Sequence, residues 1–260
     1  MDIPDFRHTL PPALLCALLT LALPAQAQRA MLSHAETPAK LIRKTTVYDA
    51  PAGANLLPGD IIEAGQRGLQ IEWSNGALMA LGPASSVQLD STPGTPAVSL
   101  LHGWAKLAAL KPANSQLSAT AGQLSIRADQ GSAILHLTAD KSELFVEQGN
   151  LPVTETDRNG IDGPQTVGRE QYAIRRGAQA LQIMPRAPKL FVSEMPRAFF
   201  DPLLAVSSRI RPAELVQVRE ANVNDDPDWK PSPQAAAPVA PQPTPPAKKR
   251  PSPAITNTLF

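Results

Sequence analysis

The stretch Gly68-Leu69-Gln70-Ile71-Glu72-Trp73-Ser74-Asn75-Gly76-Ala77-Leu78-Met79-Ala80-Leu81 decides the fold class. Leu69, Ile71 and Trp73 alternate with Gln70, Glu72 and Ser74, the period-two pattern of a strand with one face buried and the other wet. Asn75-Gly76 then separates this run from a second apolar run, Ala77 to Leu81. Two strands joined by Asn-Gly form a hairpin, and the pair predicts a type I′ turn, in which both central residues take positive φ.

Outward from this hairpin the same texture continues between Lys40 and Pro185. Short apolar segments at Val87–Leu89, Val98–Leu101, Trp104–Leu110, Leu124–Ile126, Ile134–Leu137, Leu144–Val146 and Tyr172–Ile174 are punctuated by glycine, proline, asparagine or aspartate. Long helical periodicity is missing, so the expected class is all-β, an antiparallel β-sandwich or β-roll of many short strands over residues 40–185. Gly59, Gly76, Gly103, Gly131, Gly149 and Gly168 fall at strand ends as structural turns, and Asp60 is placed to accept hydrogen bonds from its own turn.

The two ends differ from this middle. Arg7 and His8 precede a run from Leu14 to Leu23 that is apolar except for Thr20; Pro24 breaks it before Ala25-Gln26-Ala27. Residues 1–27 therefore read as a signal peptide cut between Ala27 and Gln28, since the run is roughly half of the ~20 residues a membrane span needs. Cys16, the single cysteine, lies inside that leader. The mature chain is left without disulfides or a thiolate ligand, and the leucines after Cys16 do not suit lipidation. Localisation is expected to be periplasmic or secreted, across the inner membrane of a Gram-negative bacterium, with no stable membrane span in the mature form.

Residues 190–220 carry Phe199, Phe200, Leu203, Leu204, Val206 and Ile210 at helix-like spacing, interrupted by Pro196, Pro202 and Pro212. They predict a short helical extension packed on the β domain. Residues 230–260 form a proline-rich tail: nine of the 23 residues from Pro231 to Pro253 are proline, too many for a packed core, and disorder is expected. Lys248, Lys249 and Arg250 in that tail either solubilise it or attract anionic peptidoglycan or lipopolysaccharide.

Several landmarks stand in a fixed order: Leu57-Pro58-Gly59-Asp60, Gly68, Trp73-Ser74-Asn75-Gly76, Leu81-Gly82-Pro83, Leu101-His102-Gly103-Trp104, Ala119-Thr120-Ala121-Gly122 and Gly131-Ser132. Val146-Glu147-Gln148-Gly149 with Val153, and Val167-Gly168-Arg169-Glu170-Gln171-Tyr172, complete the series. In order and spacing this resembles the FecR domain, over roughly Pro58 to Arg175. The resemblance implies a periplasmic β module with a tendency toward protein contacts. The family's name-giving members bind a sigma factor through a cytoplasmic arm. No such arm or spanning helix follows the leader here, so that activity is not expected to carry over.

Chemistry is sparse. Net charge is +1, and +2 once Asp2, Asp5 and Arg7 leave with the leader, which gives no footprint for nucleic acid. His34, His102 and His136 are not paired at metal-ligand spacing, so no metal or cofactor is expected, and His136 reads as a hydrogen-bonded strand histidine. Gly131-Ser132 and Ser74 lack the surroundings of a nucleophile elbow, Gly160, Gly163 and Gly168 open no phosphate-binding helix, and Glu143 and Glu147 read as a solvated face. Trp73 belongs in the core by its alternation; Trp104, alternating with Lys106 and Ala108, is the better placed for exposure, read as a buried ring capping the sheet ahead of a contact site for a partner, and Trp229 reads as an anchor of the tail. The expected function is a non-enzymatic protein-interaction or scaffold module acting on an unidentified envelope protein or cell-wall component. Its alternatives are a regulatory partner of a transmembrane signalling system, or a protein that binds or cleaves cell-wall glycan.

Overall fold

The structure is a computed structural model and describes residues 29–90, 95–109, 115–157, 160–161, 163–222 and 224–225. The Ala27–Gln28 junction, Trp229, and Lys248, Lys249 and Arg250 lie outside the described residues. The chain divides after Glu220. In the second unit Asn222 to Asp225 close a turn, with the Asp225 N–H donating to the Asn222 carbonyl at 2.9 Å.

The first unit is mostly β: strands pair, in sequence-adjacent hairpins and in longer-range pairings, into a curled sheet that folds over into two layers. One layer runs from Ala30–Ala35 through Leu69–Trp73, Leu78–Leu81, Ala97–Ala109, Gly131–Leu137 and Lys141–Gln148 to Tyr172–Arg176 and Gln182–Met184, antiparallel throughout. The other runs from Val216–Glu220 through Thr46–Ala50, Ala39–Arg43, Ile61–Glu63, Ser86–Asp90 and again Ala97–Ala109 to Leu117–Ala121, Leu124–Ala128, Leu151–Asp157 and Gln165–Val167. Strand pairing thus begins at Ala30, ahead of the expected Lys40. The 13-residue strand Ala97–Ala109 belongs to both layers. Its first half pairs with Ser86–Asp90 and, in parallel, with Leu117–Ala121; its second half pairs with Leu78–Leu81 and Gly131–Leu137.

The corner in that strand is Gly103, with φ +86°. A Cβ there would stand 2.4 Å from Ser85 Oγ, which accepts the Trp104 N–H at 2.8 Å. Gly103 is therefore a bend within one long strand, where the sequence suggested a turn between two.

The Asn75-Gly76 hairpin forms with a different turn from the expected one. Gly76 has φ +84°, but Asn75 is not in the left-handed region. Gly76 N–H donates to the Trp73 carbonyl at 2.8 Å and Trp73 N–H to the Ala77 carbonyl at 3.0 Å, a three-residue loop with glycine in the bulge position. The register follows: Ile71 opposes Met79 and Leu69 opposes Leu81.

Between the layers lies one core. Leu69, Ile71, Trp73, Met79, Leu107, Leu135 and Leu144 come from one side, and Leu41, Ile62, Val87, Leu100, Leu124 and Val153 from the other. A second apolar cluster, Trp104, Ile134, Tyr172, Ile174, Phe191 and Phe199, sits on the opposite face of the first layer. It exists because the chain from residue 189 returns over that face as a strap, which runs on to end against the other layer. The strap consists of a six-residue helix Lys189–Glu194, 3-10 turns Arg197–Phe200 and Ser207–Arg209, and the strand Val216–Glu220 on Thr46–Ala50. Pro188 and Pro196 flank the helix, and proline lacks the N–H that would extend it. No helix among the described residues is long and apolar enough to cross a membrane.

Candidate functional site

Two rows of side chains cross the face under the strap. Trp104, His136, Glu143 and Ile174 are direct cross-strand neighbours in one row, and Lys106, Ile134, Phe145 and Tyr172 in the next. Alternation alone fixes that these point the same way. In the first row the rings of Trp104 and His136 stack at 3.9 Å and 9°. His136 Nδ1 lies 2.7 Å from Glu143 Oε2, Lys141 Nζ lies 2.9 Å from the same oxygen, and the Tyr172 hydroxyl donates to Glu143 Oε1. Phe191 of the strap closes over Trp104 and Tyr172 with centroids at 5.1 Å from each.

Burial pushes the Glu143 carboxyl up, but the hydrogen bonds from His136, Tyr172 and Lys141, with the charge of Lys141, outweigh it and hold the group at about 2. Burial first, and then the hydrogen bond and charge of Glu143, push the Tyr172 phenol up. A carboxylate held ionised accepts only, so His136 carries a proton on Nδ1 and donates it to Glu143.

Two further groups fasten the strap. Lys106 is buried, and its ammonium donates to the carbonyls of Phe199 at 2.6 Å and Asp201 at 2.8 Å and to Glu147 Oε1 at 2.9 Å. Glu72 accepts from the N–H groups of Val206 at 3.1 Å and Ser207 at 3.0 Å and from the Ser207 hydroxyl. Gln70 Nε2 donates to the Leu204 carbonyl at 2.9 Å. While its backbone is held this way, the strap turns Leu190 (62% exposed), Phe200 (58%) and Leu204 (67%) to solvent.

Beside the cluster, at one end of the two layers, opens a cleft of about 840 Å³. Trp104, His136, Leu137, Lys141 and Arg175 are among its lining residues. Arg175 lies on the inner face and bridges the layers, donating from Nε to Glu155 Oε2 at 3.0 Å. Glu155 also accepts the Leu181 N–H at 2.9 Å, so this buried pair closes the core at the cleft.

The sequence-predicted residues fall as follows. Trp104 is the buried ring on the sheet and not the contact site of its other reading: it is 9% exposed with a ring on each side, because the strap covers its face. Glu143 is buried and Glu147 half-buried in an ion pair, so the pair is not a solvated face. His136 is a hydrogen-bonded strand histidine. Asp60 is buried, receiving the Leu57 N–H at 2.7 Å and a two-pronged contact from Arg43 at 2.8 and 2.7 Å. Gly59 is in the turn before it, Gly131 and Gly149 face each other across a hairpin end, and the Gly168 N–H donates to Gln171 Oε1 at 2.7 Å. Lys106, Glu72, Lys141, Tyr172 and Arg175 have no sequence signal that singles them out; all but Lys141, which pairs with Glu143 two residues on, gain their role from a residue distant in the chain. No cluster of three or more potential metal-ligating side chains occurs among the described residues.

No family model matches the chain, and no curated protein matches it. Two crystal structures, at 2.50 and 1.65 Å resolution, of a "putative anti-sigma factor" from Parabacteroides distasonis ATCC 8503 are similar in part, with a TM-score of 0.41 and 11% identity. The similarity covers 48% of this chain and 59% of that one. The likeness is partial, and no function is transferred from it.

Proposed function

We propose that this chain is an exported, non-enzymatic protein of the cell envelope whose β domain is a protein-interaction module, with the strap of residues 189–220 as its contacting element. The observation that carries the reading is the strap's construction. Its backbone is bolted to the sheet by Lys106, Glu72 and Gln70, yet Leu190, Phe200 and Leu204 project outward. Large apolar side chains on an ordered surface segment are what partner proteins cover, and each is worth about 1.5–3 kcal/mol when fully buried. The pre-fixed backbone spares the ordering cost of binding. Export is supported by the leader, and absence of catalysis by the engagement of Glu143, Lys106 and Glu72 in holding structure. The FecR-like order of turns supports a regulatory partner of a signalling system as the kind of contact made.

The test is photo-crosslinking in the envelope, with p-benzoylphenylalanine in place of Phe200 or Leu204 and, as control, of Arg127 on the other layer. A discrete adduct from the strap positions and none from Arg127 is expected. No adduct above control removes the strap from the interface. Hydrolysis of peptidoglycan by the purified protein, lost in Glu143→Gln, replaces this reading with an enzymatic one.

A further inference from the structure

We propose that the cleft at the end of the two layers is a binding site for a small carboxylated sugar or related hydroxy acid. The carboxylate would be held by Arg175 and a hydroxyl by His136. This goes beyond the strap-mediated contact and does not depend on it.

Arg175 is 5% exposed, and among the described residues only its Nε has a partner, Glu155. Its two terminal nitrogens have no acceptor among the described residues, yet neither is sealed from solvent, and the residue lines the cleft. A guanidinium fork so placed matches a carboxylate in two-pronged geometry. His136 supplies the second contact: its Nδ1 is committed to Glu143, and Nε2, also without a protein partner among the described residues, is free to hydrogen-bond a ligand hydroxyl, which both donates and accepts. Leu101, Leu137 and the edge of Trp104 give apolar wall against which the carbon face of a ring packs. The volume suits a mono- or disaccharide, since small-molecule sites span about 300–1,000 Å³.

Charge chooses between anions. Arg175 and Lys141 are each already paired, with Glu155 and Glu143, and Asp140 stands at the rim. The site therefore offers donors with little net positive charge, which favours a monoanionic carboxylate over a dianionic phosphate.

The test is an NMR titration of the full mature chain, following the Trp104 indole and His136 ring resonances. The probes are glucuronate against glucose, and N-acetylmuramic acid against N-acetylglucosamine, pairs that differ in the carboxylate. At least one acid is expected to shift both resonances and to bind at least about tenfold more tightly than its neutral partner. Arg175→Lys keeps a charge for Glu155 but loses the fork, and should cost about tenfold in affinity. Should that variant fail to fold, Gln123→Trp, at the exposed rim, should block binding while leaving the ion pairs intact. Equal affinity for acid and neutral sugars, no shift at either resonance with any probe, or binding unaltered in every folded variant overturns the proposal. Inorganic phosphate binding more tightly than either acid overturns the choice of ligand and with it the charge argument.

Discussion

At the Asn75-Gly76 turn the residue numbers themselves contain the answer that the dipeptide obscures. The residues that enter the core between the layers, Leu69, Ile71 and Trp73 before the turn and Ala77, Met79 and Leu81 after it, are all odd-numbered. A two-residue Asn-Gly loop would pair Ser74 with Ala77 and set Ile71 opposite Ala80, placing the apolar sets out of step. A three-residue loop sets Ile71 opposite Met79, as observed. Side-chain parity therefore overrules the strongest local turn signal, and only Gly76 needs positive φ. Gly76→Val should lower the melting temperature by several degrees, because a β-branched residue at φ +84° is strained by about 1–2 kcal/mol or more. Asn75→Ala should cost about 1 kcal/mol through its bonds to the Ala77 N–H and the Gln116 carbonyl, and not through φ. Calorimetry on both separates the terms; a Gly76→Val protein melting within about a degree of wild type would show that the loop is something else.

The element that sequence reading under-described is the strap. Its helix-like spacing predicted an extension packed on the β domain, and Phe191 and Phe199 do anchor it, but prolines reduce the helix to six residues and the rest is held by hydrogen bonds to sheet side chains. Alternation correctly puts Trp104 and Lys106 on one face and Leu107 on the other. It does not reveal that the first face is covered, because the cover arrives more than 80 residues later in the chain. A buried ammonium satisfied by three acceptors is costly to disturb, since removing it leaves two carbonyls and Glu147 without their partner. Lys106→Met should therefore loosen the strap in particular. Hydrogen–deuterium exchange should speed up in peptides from 197–213 by about tenfold or more, while Gly131–Leu137 stays protected. Equal acceleration in both, or in neither, contradicts the latch. Glu72→Gln should loosen Val206 and Ser207 more than Phe199, because its contacts lie farther along the strap.

For the whole molecule, period-two alternation and turn spacing were enough to read an all-β chain folded into layers, because both signals are local. The corner strand Ala97–Ala109, which makes the two layers one continuous sheet, and the row Trp104–His136–Glu143–Ile174 depend on register between distant segments, and no local pattern encodes that. Register also converts an ordinary strand glutamate into the group that ties the acid stability of the fold to its candidate site. Glu143 titrates at about 2 when folded, below the usual value near 4.5. A carboxyl depressed on folding binds more protons in the unfolded state, so stability rises with pH across this window. Its contribution is fully present above about pH 4.5 and is lost as pH falls through about 2. Glu143→Gln keeps the side chain's size but has no charge to titrate. In urea denaturation at pH 7, 4, 3 and 2.5, the wild type should be the more stable protein at pH 7, and the gap should narrow as the pH falls below about 4.5. Other carboxylates destabilise both proteins alike, so the difference between the two curves isolates Glu143. Parallel curves from pH 7 to 2.5 would mean that the His136, Tyr172 and Lys141 bonds do not hold this carboxylate ionised. The assignment of a proton to His136 Nδ1 would then have to be revised as well.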